Sequence, residues 1–406
     1  MSVSQTTATP MPASPGPQAT KSAAPSLLNR REVRQAIYQI ALVVALVVFF
    51  YFIVSNAAEN LRRQNIASGF GFLGRVSGFD ISQNLIDYTN VSSYGRAFIV
   101  GMLNTMLVAV IGIVLATILG FVAGIARLSK NWLVAKIAAG YVEAVRNIPL
   151  LLFLMIIYFG VLKPLPGPRQ SLSFGDVAFL NVRGLYMPRP EWLAGSGFVL
   201  IAIIVSLVCA LLIARWANAR QMRTGERFPV LWSSFGLIFG LPLLTFFLTG
   251  QPVELEYPEL RGFNFTGGMV VQPEFMALLI GLTIYTGSFI AEIVRSGIQG
   301  VPKGQWEAAR AIGLGNGQML RLVIIPQAAR IIIPPLTSQY LNLTKNSSLA
   351  VAIGYPDLVN VAGTILNQTG QAVEVILMIM AVYLTLSLLT SAFMNWFNKR
   401  MALVER

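Results

Sequence analysis

Charged residues make up only 12% of this 406-residue chain, so those inside apolar stretches stand out. Glu292 and Arg295 lie near the end of one apolar run, and Lys345 lies within another. A charge in hydrocarbon is costly, so it is held by a partner or faces a polar path. The run Asn342-Leu-Thr-Lys345-Asn346-Ser347-Ser348 interrupts an apolar segment with donors and acceptors, as a passage for a polar solute requires. Arg146 and Asn147 precede Pro149, whose missing N–H frees a carbonyl one turn back. The candidate pathway residues are therefore Arg146, Asn147, Glu292, Asn342, Lys345, Asn346 and Ser347. Other chemistry is limited by what is missing. There is no histidine, and Cys209 is the single cysteine. Neither an internal disulfide nor a histidine-dependent triad can form, and no metal site is expected. No Gly-x-x-x-x-Gly-Lys-Ser/Thr loop cradles a phosphate. No catalytic residue and no bound cofactor are expected.

A second informative segment reads Val301-Pro-Lys-Gly-Gln-Trp-Glu307-Ala308-Ala309-Arg310-Ala-Ile-Gly313 and runs on to Ile324-Ile-Pro326. Pro302 suits the first turn of a helix. Residues 305–312 are rich in helix formers. Gly313 and Gly315 end that helix, because glycine tolerates the left-handed conformation. A second helix is expected from near Asn316, stopping before Pro326. The small Ala308 and Ala309 let another protein's backbone come close, and Glu307 and Arg310 offer polar anchors.

These segments need elements to hold them. Hydrophobic residues make up 55% of the chain, and its mean hydropathy is +0.66. A membrane core of roughly 30 Å needs about 20 helical residues per crossing. About eight apolar runs meet that need, at 35–56, 97–126, 138–162, 197–214, 231–250, 275–297, 331–354 and 375–397. The net charge of +13 collects beside these runs, so it marks topology rather than nucleic-acid binding. One set of connections holds Arg127, Lys130 and Lys136; then Arg215, Arg220, Arg223 and Arg227; then Lys303, Arg310, Arg321 and Arg330. The C-terminal end adds Lys399, Arg400 and Arg406, whereas 251–272 carries Glu254, Glu256 and Glu259 against Arg261. The positive-inside tendency puts the basic set and both termini in the cytoplasm. Residues 1–28 are rich in Pro, Ala, Ser and Thr and are expected to form a disordered tail. The first span follows Arg30, Arg31 and Arg34 and is read as uncleaved. The outer segments 60–94 and 165–192 are dense in glycine or proline and are expected to turn repeatedly.

The order Glu307-Ala-Ala, three residues, Gly313, nine residues, Val323-Ile-Ile-Pro326 resembles the EAA loop of ABC-importer permeases. Tyr141-Val-Glu143-Ala-Val-Arg146-Asn147-Ile-Pro149, Leu103-Asn104-Thr105 with Gly120, Phe289-Ile-Ala-Glu292-Ile-Val-Arg295, and Lys345-Asn346-Ser347-Ser348-Leu349 resemble stretches of the polar amino-acid permeases. The extra first span and the long insert are similar to the general L-amino-acid (Aap/Bzt type) branch, nearest its Q-type, BztB-like subunit. The resemblance implies an all-α polytopic membrane protein with the type I ABC-importer (MetI-like) permease fold. Its parts would be the tail 1–28, an extra span and outer loop 29–96, core helices 97–162, an inserted loop and hairpin 163–272, and core helices 273–406 with the coupling loop 298–328. The implied role is inner-membrane translocation of L-amino acids. The implied partners are a homologous permease in a heterodimer, two cytoplasmic ATPases that bind ATP and Mg, and a periplasmic amino-acid-binding protein. Glu307, Ala308, Ala309, Arg310 and Gly313 would couple to the ATPase. An ion-coupled secondary transporter and a membrane enzyme are the rival readings. The first would need no docking loop, and the second lacks a carboxylate cluster.

Overall fold

The computed structural model describes residues 31–63, 69–226 and 228–401. The expected tail at 1–28 lies outside them, as do Arg227 and Arg406 of the loop charges. Residues 1–68 form one unit and 69–406 another. In the first, helix α1 (Arg31–Arg63) carries a stretch, Arg34–Asn56, long and apolar enough to cross a membrane. Its last turns are tied by Arg63 to Glu59 at 2.6 Å.

The second unit holds the remaining helices. They are α2 (Tyr94–Ala126), α3 (Trp132–Arg146), α4 (Leu150–Met155), α5 (Ser196–Thr224), α6 (Val230–Leu248), α7 (Pro273–Gln299), α8 (Lys303–Ala311), α9 (Asn316–Met319), α10 (Ile325–Asn346), α11 (Leu358–Thr369) and α12 (Ala372–Met401). Local chemistry sets several starts. The Ser93 hydroxyl accepts the Arg96 N–H, Asn131 accepts from Leu133 and Val134, and Asp357 accepts from Asn360. Each satisfies donors that the first turn of a helix leaves open.

Among the described residues seven helices are long and apolar enough to cross a membrane, and one bent pair could make an eighth. That pair is the expected third span. It is not continuous: α3 and the Leu150–Leu162 segment meet at 107°. Pro149 forces the preceding residue out of the helical region, so the chain turns at Asn147–Pro149. Beyond α4 a π-helical turn, Ile156–Leu162, completes the segment. The expected stop before Pro326 is also corrected. A π-helical turn at Leu320–Ile324 joins α9 to α10, and Pro326 falls in the first turn of α10. The expected seventh span therefore starts earlier, and its far end tightens into a 3₁₀ segment, Ser347–Ile353.

Close packing of α2 on α7 is built from glycines. A Cβ at Gly120 would lie 2.5 Å from Ile290 Cβ, and one at Gly124 would lie 2.7 Å from the Ala291 carbonyl oxygen. Small residues every fourth position let two membrane helices approach, so dispersion contacts replace the hydrophobic drive that lipid removes. The segment 69–93 does turn as expected, and it folds down on the bundle. Phe72, Ile81 and Tyr88 are buried with Leu358, Val361 and Ile365 of α11.

The insert contains sheet that its turn residues alone did not reveal. Strands β1 (Leu172–Phe174), β2 (Ala178–Asn181), β3 (Gly184–Met187), β4 (Arg189–Trp192), β5 (Val253–Glu256), β6 (Glu259–Arg261), β7 (Asn264–Thr266) and β8 (Met269–Val271) are all short. They pair in the order β1-β2-β3-β8, with β4–β5 and β6–β7 as separate ribbons. Phe265 stacks on Phe179 at 4.6 Å and lies 5.0 Å from Tyr186, giving the insert its own small core. The β4–β5 ribbon joins the start of α5 to the end of α6, so both membrane helices of the hairpin hang from one pairing.

Candidate functional site

The loop between α7 and α10 has the helix–glycine–helix form expected for it. Gly313 adopts φ +79°, in the left-handed region. Its N–H bonds the Arg310 carbonyl at 2.9 Å, and the Leu314 N–H returns to the Ala309 carbonyl at 3.1 Å. These bonds close the end of α8. Gly315 is different: its φ is −63°, and it starts α9 in an extended conformation. Around α8 the side chains divide. Ala309 is buried, and Trp306 and Leu314 pack against the main core. Glu307, Ala308, Arg310 and Ile312 are exposed. A hydrogen bond of 3.0 Å from Gln327 Nε2 to Gln305 Oε1 ties α8 to α10. Of the coupling candidates, Glu307, Ala308 and Arg310 form an outward surface, Ala309 anchors it inward, and Gly313 shapes its end.

The pathway candidates fall into two groups. Near the same end of the bundle, Glu292 of α7 binds Arg127 at the end of α2, and it binds Arg295 at 2.5 Å. Arg146 of α3 reaches Glu292 at 3.9 Å and lies over the Phe289 ring at 5.1 Å. One carboxylate thus joins three helices and faces three guanidinium groups. Asn147, the C-cap of α3, is exposed beside them.

Lys345 lies about 30 Å further along α10 from its start, at 1.5 Å per residue, so it belongs to the opposite end. There Lys345, Ser348, Val351, Val359 and Tyr383 line a cavity of about 390 Å³. Asn346 is half-buried, Asn342 is exposed, and Ser347 is buried with its hydroxyl on the Thr344 carbonyl at 2.7 Å. Asn104 and Thr105 of α2 hold the segment that closes this region. Asn104 Nδ2 donates to the carbonyls of Gln83 at 2.8 Å and Pro356 at 2.9 Å. Thr105 Oγ1 accepts the Leu358 N–H at 2.9 Å. Two residues here escaped the sequence reading. Asp357 is fully buried, with one oxygen capping α11 and Oδ2 without a partner. Burial pushes its carboxyl up to about 7, and backbone donors at the α11 start oppose that only in part. The Asp-Leu-Val-Asn start of α11 is a capping signal that could have found it. The Tyr383 hydroxyl is also buried, beside the hydroxyls of Ser347, Thr105 and Ser348, and nothing in the α12 sequence marks it out. No group of three metal-ligating side chains occurs among the described residues.

Residues 206–403 match the family described as "Binding-protein-dependent transport system inner membrane component". The general L-amino acid transport system permease protein AapQ of Rhizobium johnstonii is 56% identical over 92% of this chain and 93% of its own length. The chain belongs to this family of binding-protein-dependent permeases. Another relative, the putative amino-acid ABC transporter permease protein YhdX of Escherichia coli, is 53% identical over 92% of this chain and 95% of its own. The glutamate/glutamine/aspartate/asparagine transport system permease protein BztB of Rhodobacter capsulatus is 41% identical over 94% of this chain and 96% of its own. The permease is a multi-pass inner-membrane component and a non-catalytic subunit of an ABC importer, with the MetI-like fold. The secondary-transporter and membrane-enzyme readings give way to this one.

Proposed function

We propose that this permease carries L-amino acids of broad side-chain class across the inner membrane as one half of a heterodimer with a homologous permease. Two cytoplasmic ATPases bind ATP and Mg and supply the energy, and a periplasmic binding protein delivers the substrate. The observation that carries the coupling reading is the exposed Glu307–Arg310 surface ended by a left-handed Gly313. A rigid, closed helix end moves as a unit, so motion of a docked ATPase passes through the Gln305–Gln327 bond into α10. The relatives' names support the amino-acid reading, and the name of BztB includes both acids and amides.

In this reading segments 97–162 and 273–406 are the transport core, and 163–272 is an insert whose segments 165–192 and 251–272 lie outside the cytoplasm. Both termini and the α5–α6 connection are cytoplasmic, in line with Arg215, Arg220 and Arg223. The pathway runs past Lys345, Asn346 and Ser347, with Asn342 nearby. Arg146, Asn147 and Glu292 serve the cytoplasmic end. The test is uptake of a labelled panel of acidic, neutral and basic L-amino acids by the complex in proteoliposomes, with and without ATP. Uptake of all classes that depends on ATP and on the binding protein is expected. Transport confined to one class would end the broad-specificity reading, and uptake without ATP would end the importer reading.

A further inference from the structure

The broken third span leaves α3 lying across the bundle rather than along it. From Leu150 to Leu162 the chain follows α7: Leu154 packs against Gly281, and the Tyr158 hydroxyl donates to Glu274, in the first turn of α7, at 2.5 Å. Helix α3 meets that segment at 107°, so it crosses α7 instead. Its contacts fix its depth. Val142 packs with Ala123 and Ala291, and Arg146 reaches Glu292. A membrane core of roughly 30 Å takes about 20 residues of helix, which counted from Pro273 ends near Ile293. Helix α3 therefore lies at the membrane boundary on the side of the bundle that carries α8. Ala138, Val142 and Val145 are buried against the bundle. Leu133 and Ile137, one turn apart, are apolar yet 57% and 66% exposed. Lys136 and Glu143 are exposed, as is Lys130 just before the helix. The charge is one-sided, because residues 127–147 hold four basic residues and one acidic. Lys130 and Lys136 have no salt-bridge partner among the described residues. Glu292 is shared by three guanidinium groups, with Arg146 the most distant at 3.9 Å, so positive charge is in excess there too.

We infer that α3 is an interfacial helix whose Lys130 and Lys136 bind the headgroup phosphates of anionic phospholipids, with Leu133 and Ile137 set in the acyl region. A helix with an exposed apolar side and a basic side, placed at a membrane boundary, puts the first in lipid and lets the second reach the headgroups. An acidic protein surface would match the lysines alone. The apolar side chains decide for lipid, because exposed Val122 and Ile125 bring the lipid-facing surface of α2 to the same turn. Lipid charge then steadies the helix that holds Arg146 beside Glu292. The inference goes beyond the import reading and does not depend on it, and a bilayer with the same lipids in both leaflets presents this partner whichever end is cytoplasmic.

The experiment uses the assembled permease–ATPase complex, otherwise free of cysteine, with bimane on Ile137→Cys, in phosphatidylcholine nanodiscs. Brominated phosphatidylglycerol is titrated in, and brominated phosphatidylcholine at the same fractions is the control. Bromine quenches bimane only at short range, so the signal reports lipid at α3. Quenching should reach half its maximum at a lower fraction of phosphatidylglycerol than of phosphatidylcholine, and added salt should narrow the difference. Lys130→Gln and Lys136→Gln should each raise the half-maximal phosphatidylglycerol fraction by about fivefold. Glu143→Gln removes the one acid of α3 and should lower that fraction, which keeps the test open if a lysine variant fails to assemble. Equal quenching by the two lipids overturns the assignment. So does an absence of quenching by either, or a half-maximal fraction that the lysine and Glu143 variants leave unchanged. Quenching that appears only after the ATPase subunits are stripped away assigns the face to a protein contact and overturns it as well. ATP-driven uptake by the same complex in proteoliposomes is measured in parallel: selective quenching without uptake sinks the import reading and leaves this one standing.

Discussion

Replacing Gly313 by valine tests whether the closed end of α8 transmits force. The cost can be worked from the backbone. Gly313 sits at φ +79°, and a Cβ added there would meet nothing within 4 Å. Crowding therefore contributes nothing, and the penalty is the left-handed conformation alone, about 1–2 kcal/mol for an L-residue. That shifts the local equilibrium away from the closed end by roughly 5- to 30-fold. Asparagine tolerates the left-handed region better, so Gly313→Asn should lie between wild type and valine. Gly304 provides the control, because it lies in the same exposed helix, has no positive φ and also has open space at its Cβ. Gly304→Val puts the same side chain on the same surface without the backbone penalty. The complexes should be purified, the ATPase subunits retained should be quantified, and ATP hydrolysis should be compared with uptake in proteoliposomes. Gly313→Val should insert normally, then lose uptake several-fold or hydrolyse ATP without transport. The order should be wild type, asparagine, valine. If Gly304→Val is as damaging as Gly313→Val, surface bulk is the cause and the conformational argument fails. Wild-type behaviour in both glycine-313 variants would refute the coupling role.

Three further outcomes are expected. Glu292→Gln leaves Arg127, Arg146 and Arg295 without their shared carboxylate. The Glu292 side chain is a quarter exposed, so solvent screens part of the loss and about 2 kcal/mol is expected. A fall in thermal stability that shrinks at high salt supports this, and no fall contradicts it. Gly124→Val drives a side chain into Ala291 and Val294 and should cost about 2–3 kcal/mol. Gly140→Val, with nothing within 4 Å, should cost far less, and equal losses would count against the close α2–α7 packing. Asp357 has its carboxyl raised from its ordinary 3.8 to about 7, so its contribution is full below pH 4 and is lost as pH rises towards 7. At about 1.4 kcal/mol per unit, the loss amounts to at most about 4 kcal/mol. Asp357→Asn should flatten the pH dependence of unfolding over that window, and an unchanged slope would show that the carboxyl titrates normally.

How far the sequence carries depends on the range of the interactions involved. Gly313 was legible because its requirement is local: a helix end needs a residue that accepts positive φ. The membrane spans were legible for the same reason, since hydrocarbon demands long apolar helices whatever their neighbours. The Glu292 and Arg295 pair, three residues apart on one helix, could also be anticipated. What the sequence could not supply was the third dimension of that charge group. Arg127 and Arg146 lie 165 and 146 residues from Glu292, and only the packing of α2 and α3 on α7 brings them to it. The seven pathway candidates read as one set in the sequence. The antiparallel run of α7 and α10 separates Glu292 from Lys345 along the bundle. The break at Pro149 was visible as a proline, but its 107° bend was not, because a proline can kink a helix or end it. Tyr383 is one aromatic residue in an apolar helix until α10 brings Lys345 to the same cavity. Composition and local propensity determined the class, the spans and the helix–glycine–helix form of the loop before α10. Tertiary structure alone decided which polar groups meet, because those contacts follow from helix packing rather than from any neighbour in the chain.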